Sequence, residues 1–152
     1  KRSVEFFILD MLLSIDRIKR FAKNLICVDD FVRNETAVGV ILRDFSVIGE
    51  AMNHVLHTKK LHHFTKPGWR NIVDFRNIVI HDYFGLSYEE VFEIIKKEIP
   101  VLEKELITLL LEMDTNVKIE LAIKDTKDEL EAMERTQSLK YISRLEKILK
   151  TK

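Results

Sequence analysis

The residues Arg76-Asn77-Ile78-Val79-Ile80-His81-Asp82-Tyr83 place a fixed cation, an amide, an imidazole and a phenol within about two helical turns. Those side chains suffice to handle a phosphodiester without a metal. Histidine titrates near neutrality, so it takes a proton from a ribose 2′-hydroxyl or returns one to a leaving oxygen. Arginine keeps its charge, and its forked guanidinium matches a phosphate or the charge that builds on phosphorus. Asparagine orients the imidazole or donates to a phosphate oxygen. Tyrosine bonds phosphate, stacks on a base or accepts a modification. Each residue also has a plain structural role: Arg76 as an ion-pair partner of Asp74 or Asp82, His81 as a satisfied histidine near a helix end, Tyr83 as a core aromatic. Their joint occurrence at this spacing, beside a basic stretch, favours chemistry.

On a helix each residue turns about 100 degrees, so Asn77 and His81 share one face while Arg76 and Tyr83 share another. Arg76 and His81 are separated by roughly 140 degrees in that projection. Either the long arginine curls round to meet the imidazole, or two copies of the helix meet and pool their residues. The second arrangement calls for a dimer, and two-fold symmetry is the commonest way to make one.

The elements that must position this octet read as helices. Phe7, Met11, Ile15, Ile18, Ala22 and Leu25 recur at steps of three and four, as do Val38, Ile41, Phe45, Ile48, Met52 and Val55. Asp29, Asp30 and Asn34 offer capping chemistry between these two segments. The second helix is expected to fail near Thr58, where a polar loop runs from Lys59-Lys60 to Pro67-Gly68. Trp69 opens a third helix reaching about Tyr83, and Gly85 is placed to end it. Ser87-Tyr88-Glu89-Glu90 reads as a capping box for a fourth helix, which Pro100 should kink or restart before about Met113. From Asn116 to Lys150 the apolar positions thin out, and Thr126-Lys127-Asp128-Glu129 suggests a second cap that would divide the tail into two helices.

The fold class expected is therefore all-α: an antiparallel four-helix bundle over 1–113 with a C-terminal helical extension over 114–152, packed on the bundle or on a dimer partner. Composition agrees, with 46% apolar and 33% charged residues but only 4 glycines and 2 prolines in 152 residues. No apolar run approaches the ~18 residues of a membrane span. The N-terminal residues lack the apolar core and cleavage site of a signal peptide, and an opening at Lys1 suggests a trimmed start. Cys27, the single cysteine, forms no internal disulfide and is expected to be buried or inert; a reducing cytoplasm fits.

Net charge is zero, with 25 basic and 25 acidic residues, but its distribution is uneven. Between Asn53 and His81 the chain carries Lys59, Lys60, Lys66, Arg70 and Arg76 against a single acid, Asp74. Lys59, Lys60, Lys66 and Arg70 are candidate RNA contacts, although a solvated loop is the commoner meaning of such a run. His54, His57, His62 and His63 lie in the same stretch without a cysteine or carboxylate placed to complete a ligand set, so no metal site and no cofactor are assigned. Trp69 stacks on a base or, more ordinarily, enters the core. Glu50 reads equally as a hydrogen-bonding partner of the third helix and as a surface acid.

The octet, written Arg76-x4-His81-x-Tyr83 with Asn77 after the arginine, resembles the motif of HepT-like toxins of the HEPN superfamily. Ile48-Gly49-Glu50-Ala51, Trp69 seven residues before Arg76, Phe84 and Ile99-Pro100-Val101-Leu102 extend the resemblance over roughly 4–110. It implies a HEPN-type bundle that dimerises and brings two motifs to one cleft. It also implies a metal-independent endoribonuclease, the toxin of a type VII-like toxin–antitoxin pair. On these positions Arg76 and His81 would be catalytic and Asn77 supporting. A minimal nucleotidyltransferase antitoxin would adenylylate Tyr83. The alternative is a catalytically inactive HEPN module that binds nucleotide or a nucleotidyltransferase partner. The tail from about Asp114 to Lys152 runs beyond the usual family core, placed to extend the dimer, contact the antitoxin or cover the cleft.

Overall fold

The computed structural model describes residues 2–81, 85–113 and 116–151, all of them helical or in the connections between helices. The first helix, α1 (Val4–Ala22), and the third, α3 (Glu35–Leu56), form the central pair. Phe7 of α1 meets His54 of α3 and Arg17 meets Asp44, so the two run antiparallel. Their apolar stripes interlock as Ile8, Leu12 and Ile15 against Ile41, Ile48 and Met52, all fully buried. Asp44 has no exposed surface, and Arg17 answers it through Nε at 2.9 and 3.2 Å and Nη2 at 2.9 Å. Removing either partner would leave a buried charge uncompensated.

A short helix, α2 (Val28–Arg33), fills the connection that the sequence assigned to capping residues alone. Asp30 accepts the backbone N–H groups of Ile26 and Cys27, and Asn34 accepts that of Ala37 to start α3. Those hydrogen bonds hold the Asp30 carboxyl below the usual carboxylate range. Cys27, expected to be buried or inert, is exposed at the N-cap of α2, so burial fails. The stretch expected as a polar loop contains a 3₁₀ helix, Lys59–Phe64, anchored by the buried side chain of Leu61.

After it come α4 (Trp69–His81), packed on α3, and α5 (Tyr88–Glu93), whose start is capped by the Ser87 hydroxyl accepting the Glu90 N–H. One π-helical stretch, Ile94–Glu98, separates α5 from α6 (Ile99–Glu112). Pro100 lies in the first turn of α6, directly after the π-helical stretch. The backbone stays helical through Glu98 and Ile99, so the expected kink or new start becomes a change of hydrogen-bonding pattern within one continuous helical run.

The tail forms a hairpin of α7 (Asn116–Ala132) and α8 (Thr136–Lys150) against α1. The cap expected at Thr126 is not used. Ile119, Ile123, Thr126 and Leu130 make one buried stripe, so packing carries the helix straight through it. The break comes at Glu134, whose φ of 56° ends α7 in the left-handed conformation. Tyr141 of α8 donates to Glu103 of α6 at 2.9 Å, and Lys19 of α1 pairs with the same carboxylate at 2.8 Å. Burial, and then the Glu103 charge, raise the Tyr141 phenol above its ordinary pKa, so it remains the donor. Tyr141→Phe is expected to lower unfolding free energy by about 1–2 kcal/mol, measured by denaturant titration.

Candidate active site

Helix α4 carries Arg76–His81, the first six residues of the octet, and its N-terminal end is fixed first. The Trp69 ring is buried and its indole N–H donates to Glu105 at 3.1 Å, so this tryptophan belongs to the core and offers no free face to a base. Trp69 and Val73 begin a stripe at helical spacing toward the bundle, and Arg76 is the next position on it. An arginine thus occupies a place where an apolar residue would be ordinary.

Gly49 makes that possible. A Cβ added at Gly49 would overlap the Arg76 Cβ and lie 2.6 Å from its Cγ. The arginine stem therefore passes over bare backbone, and its Nη2 reaches Glu50 at 2.9 Å. Glu50 combines the two readings the sequence left open: it is solvent-exposed and it bonds the third major helix of the bundle. Its other oxygen lies 4.0 Å from His54 Nε2, and the His54 ring stacks on Phe7 at 4.1 Å. Arg76 is only 17% exposed, and among the described residues its Nε–H has no acceptor.

His81 ends α4 on the exposed side, and Asn77 is exposed one turn before it. Among the described residues no hydrogen bond joins Asn77 to His81, and none joins either to Arg76. The single chain thus presents the cation and the imidazole on different sides of one helix, as the projection predicts. Tyr83 lies outside the described residues, as does Asp82; Asp74 pairs instead with Arg70, at 3.7 Å.

The four candidate RNA contacts are all exposed. Lys60 approaches Glu5 at 3.8 Å and Arg70 is engaged with Asp74, whereas Lys59 and Lys66 have no partner among the described residues. Lys66 lines a groove of about 550 Å³ between α4 and α6, walled by Phe45, Ile72, Phe75 and Val101. Ile78 also lines it; Ile78 and Ile80 are each about half exposed, on different sides of α4. Among the described residues no cluster of three or more His, Cys, Asp or Glu side chains has metal-binding geometry. No helix among them is long and apolar enough to cross a membrane.

Sequence reasoning found the octet and missed its seat. The signal was present in an arginine on the Trp69–Val73 stripe and a glycine inside α3, but their meeting is a tertiary fact. Gly49→Ala should lose about 1–2 kcal/mol, since overlap at Arg76 outweighs the gain in helix propensity. Gly39→Ala, with nothing within 4 Å of the new Cβ, should gain about 0.5–1 kcal/mol. Paired thermal melts of the two variants test the seat directly.

Residues 11–109 match the family model described as Ribonuclease HepT-like. A protein of Methanocaldococcus jannaschii named "Putative RNase MJ1380" is 32% identical over 105 residues, which is 69% of this chain and 94% of that one. A protein of Thermococcus cleftensis named "Probable ribonuclease HepT" is 30% identical over 103 residues, 68% of this chain and 92% of that one. Another, "Putative RNase TTE0752" of Caldanaerobacter subterraneus, is 35% identical over 91 residues, 60% of this chain and 76% of that one. No solved structure matches. The family segment closes before α7 begins, so the C-terminal hairpin lies outside it. By this match the chain belongs to the HepT-like ribonuclease family.

Proposed function

We propose that this chain is the toxin of a type VII-like toxin–antitoxin pair, a cytoplasmic endoribonuclease that cleaves RNA without a metal. The observation that carries the reading is the seating of Arg76. A long cation is built into a helix stripe, held by one bond to an exposed carboxylate, and retains donors for a phosphate. In-line attack of a ribose 2′-oxygen on phosphorus forms the new P–O bond and breaks the bond to the 5′-oxygen. The products are a 2′,3′-cyclic phosphate and a 5′-hydroxyl. His81 moves the proton, Arg76 steadies the charge on the phosphoryl oxygens, and Asn77 holds the imidazole or the phosphate.

Two copies complete the site in this reading. Ile78, about half exposed on the groove side of α4, is apolar area that a second copy would bury. A two-fold pairing along α4 brings the Arg76 of one copy toward the His81 of the other. It also supplies two imidazoles, one to accept the 2′-proton and one to protonate the leaving oxygen. The antitoxin would be a minimal nucleotidyltransferase that attaches adenylate to Tyr83, closing the site by charge and bulk; the family resemblance supports this step.

The Glu50–Arg76 pair favours a second reading, a non-catalytic module in which the arginine only ties α4 to α3. Cleavage assays in chelator separate the two. His81→Ala and Arg76→Ala should each reduce cleavage by at least about 100-fold while circular dichroism and the dimer persist. Retained cleavage in either folded variant rejects this mechanism, and no cleavage by the unsubstituted chain favours the binding module.

A further inference from the structure

The C-terminal hairpin creates a second basic feature away from the octet. A cavity of about 520 Å³ opens where α8 begins against the outer faces of α1 and α3. Four arginines line it: Arg17 and Arg20 from α1, Arg43 from α3 and Arg135 from the α7–α8 turn. Arg17 is committed to Asp44, and Arg20 bonds Asp16 at 3.0 Å and the Ser138 hydroxyl at 3.4 Å. Arg43 and Arg135 are exposed and have no carboxylate partner among the described residues. Glu134 is the one acid in the lining. Arg135 makes no side-chain cap on α8, so the Gln137 and Ser138 N–H groups in the same lining lack a side-chain acceptor.

The cavity is linked to the octet by one ridge. Val40, Arg43, Val47, Glu50 and His54 follow each other at steps of three and four along the outward side of α3. Glu50 holds Arg76, and Arg43 stands two turns earlier, on the order of 10 Å along the helix axis. A strand whose phosphate sits at Arg76 needs only a few nucleotides to bring another phosphate to Arg43 and Arg135. Guanidinium groups suit that ligand because their paired donors match phosphate oxygens.

We propose that this cavity is a phosphate subsite for the RNA strand, built jointly by the family bundle and the C-terminal hairpin, with Arg43 and Arg135 as its binding groups. It rests on the ribonuclease reading of the octet. The subsite positions substrate and takes no part in bond cleavage, so it acts on affinity.

The test uses the full chain carrying His81→Ala and a labelled single-stranded RNA oligonucleotide, with binding followed by fluorescence anisotropy. Adding Arg43→Ala and Arg135→Ala should weaken binding about tenfold and lower the slope of log Kd against log salt by about 1–2. Lys118→Ala with Lys147→Ala removes the same charge elsewhere on the hairpin and should change Kd less than about twofold. With His81 intact, the double arginine variant should raise KM far more than it lowers kcat. Unchanged affinity together with normal cleavage overturns the subsite and leaves the ribonuclease reading standing. Absence of both RNA binding and cleavage in every form overturns the two together. Inorganic phosphate, titrated against the Gln137 and Ser138 amide resonances, should shift both. A shift without any effect of the arginines on RNA affinity marks a site for free phosphate and overturns the strand proposal.

Discussion

A missing side chain governs how this protein presents its chemistry. Helix α4 rests chiefly on α3, and the two approach where Gly49 offers only backbone to the stem of Arg76. Any larger residue would push the helices apart, because interiors pack too densely to absorb a methyl group against Cβ. The contact therefore fixes both the distance between the helices and the rotation of α4. It aims the guanidinium at Glu50 and turns His81 outward at the same time. Cation and imidazole are thus separated by the same constraint that positions them.

Local chemistry was legible in the sequence wherever the partner is close along the chain. Asn34 caps α3 and Ser87 caps α5 because each needs only a backbone N–H three residues ahead. Pro100, which lacks a donor, follows directly on a π-helical stretch. The Thr126 box misleads for the opposite reason. A cap works only if the chain leaves the helix there, and a buried stripe on both sides of Thr126 keeps α7 intact. The octet itself is readable as chemistry, whereas for Glu50 the sequence offered two readings and could not name Arg76 as its partner, 26 positions away. Cys27 escaped burial because a two-turn helix intervened where only capping residues were foreseen.

Charge shows the same division between local pattern and folded arrangement. The basic run around the 3₁₀ helix is prominent in sequence, yet Lys60 and Arg70 are engaged by Glu5 and Asp74. The arginines of the second cavity come from three separated segments and form no run at all. Zero net charge hides both. An electrostatic surface for a polyanion depends on which cations lack carboxylates nearby, and only the fold decides that.

The hairpin's attachment to the first helix has a consequence for the order in which this molecule matures. A nascent chain emerges from its N-terminus, and its early portions fold while later ones are still being made. The cradle for Arg76 needs only α3 and α4, whereas Arg135 and Ser138 arrive after the whole family segment has left the ribosome. Synthesis therefore delivers Arg76 and His81 before the arginine and helix start that the hairpin adds. A chain halted near its end would be a complete bundle with the outer face of α1 left bare.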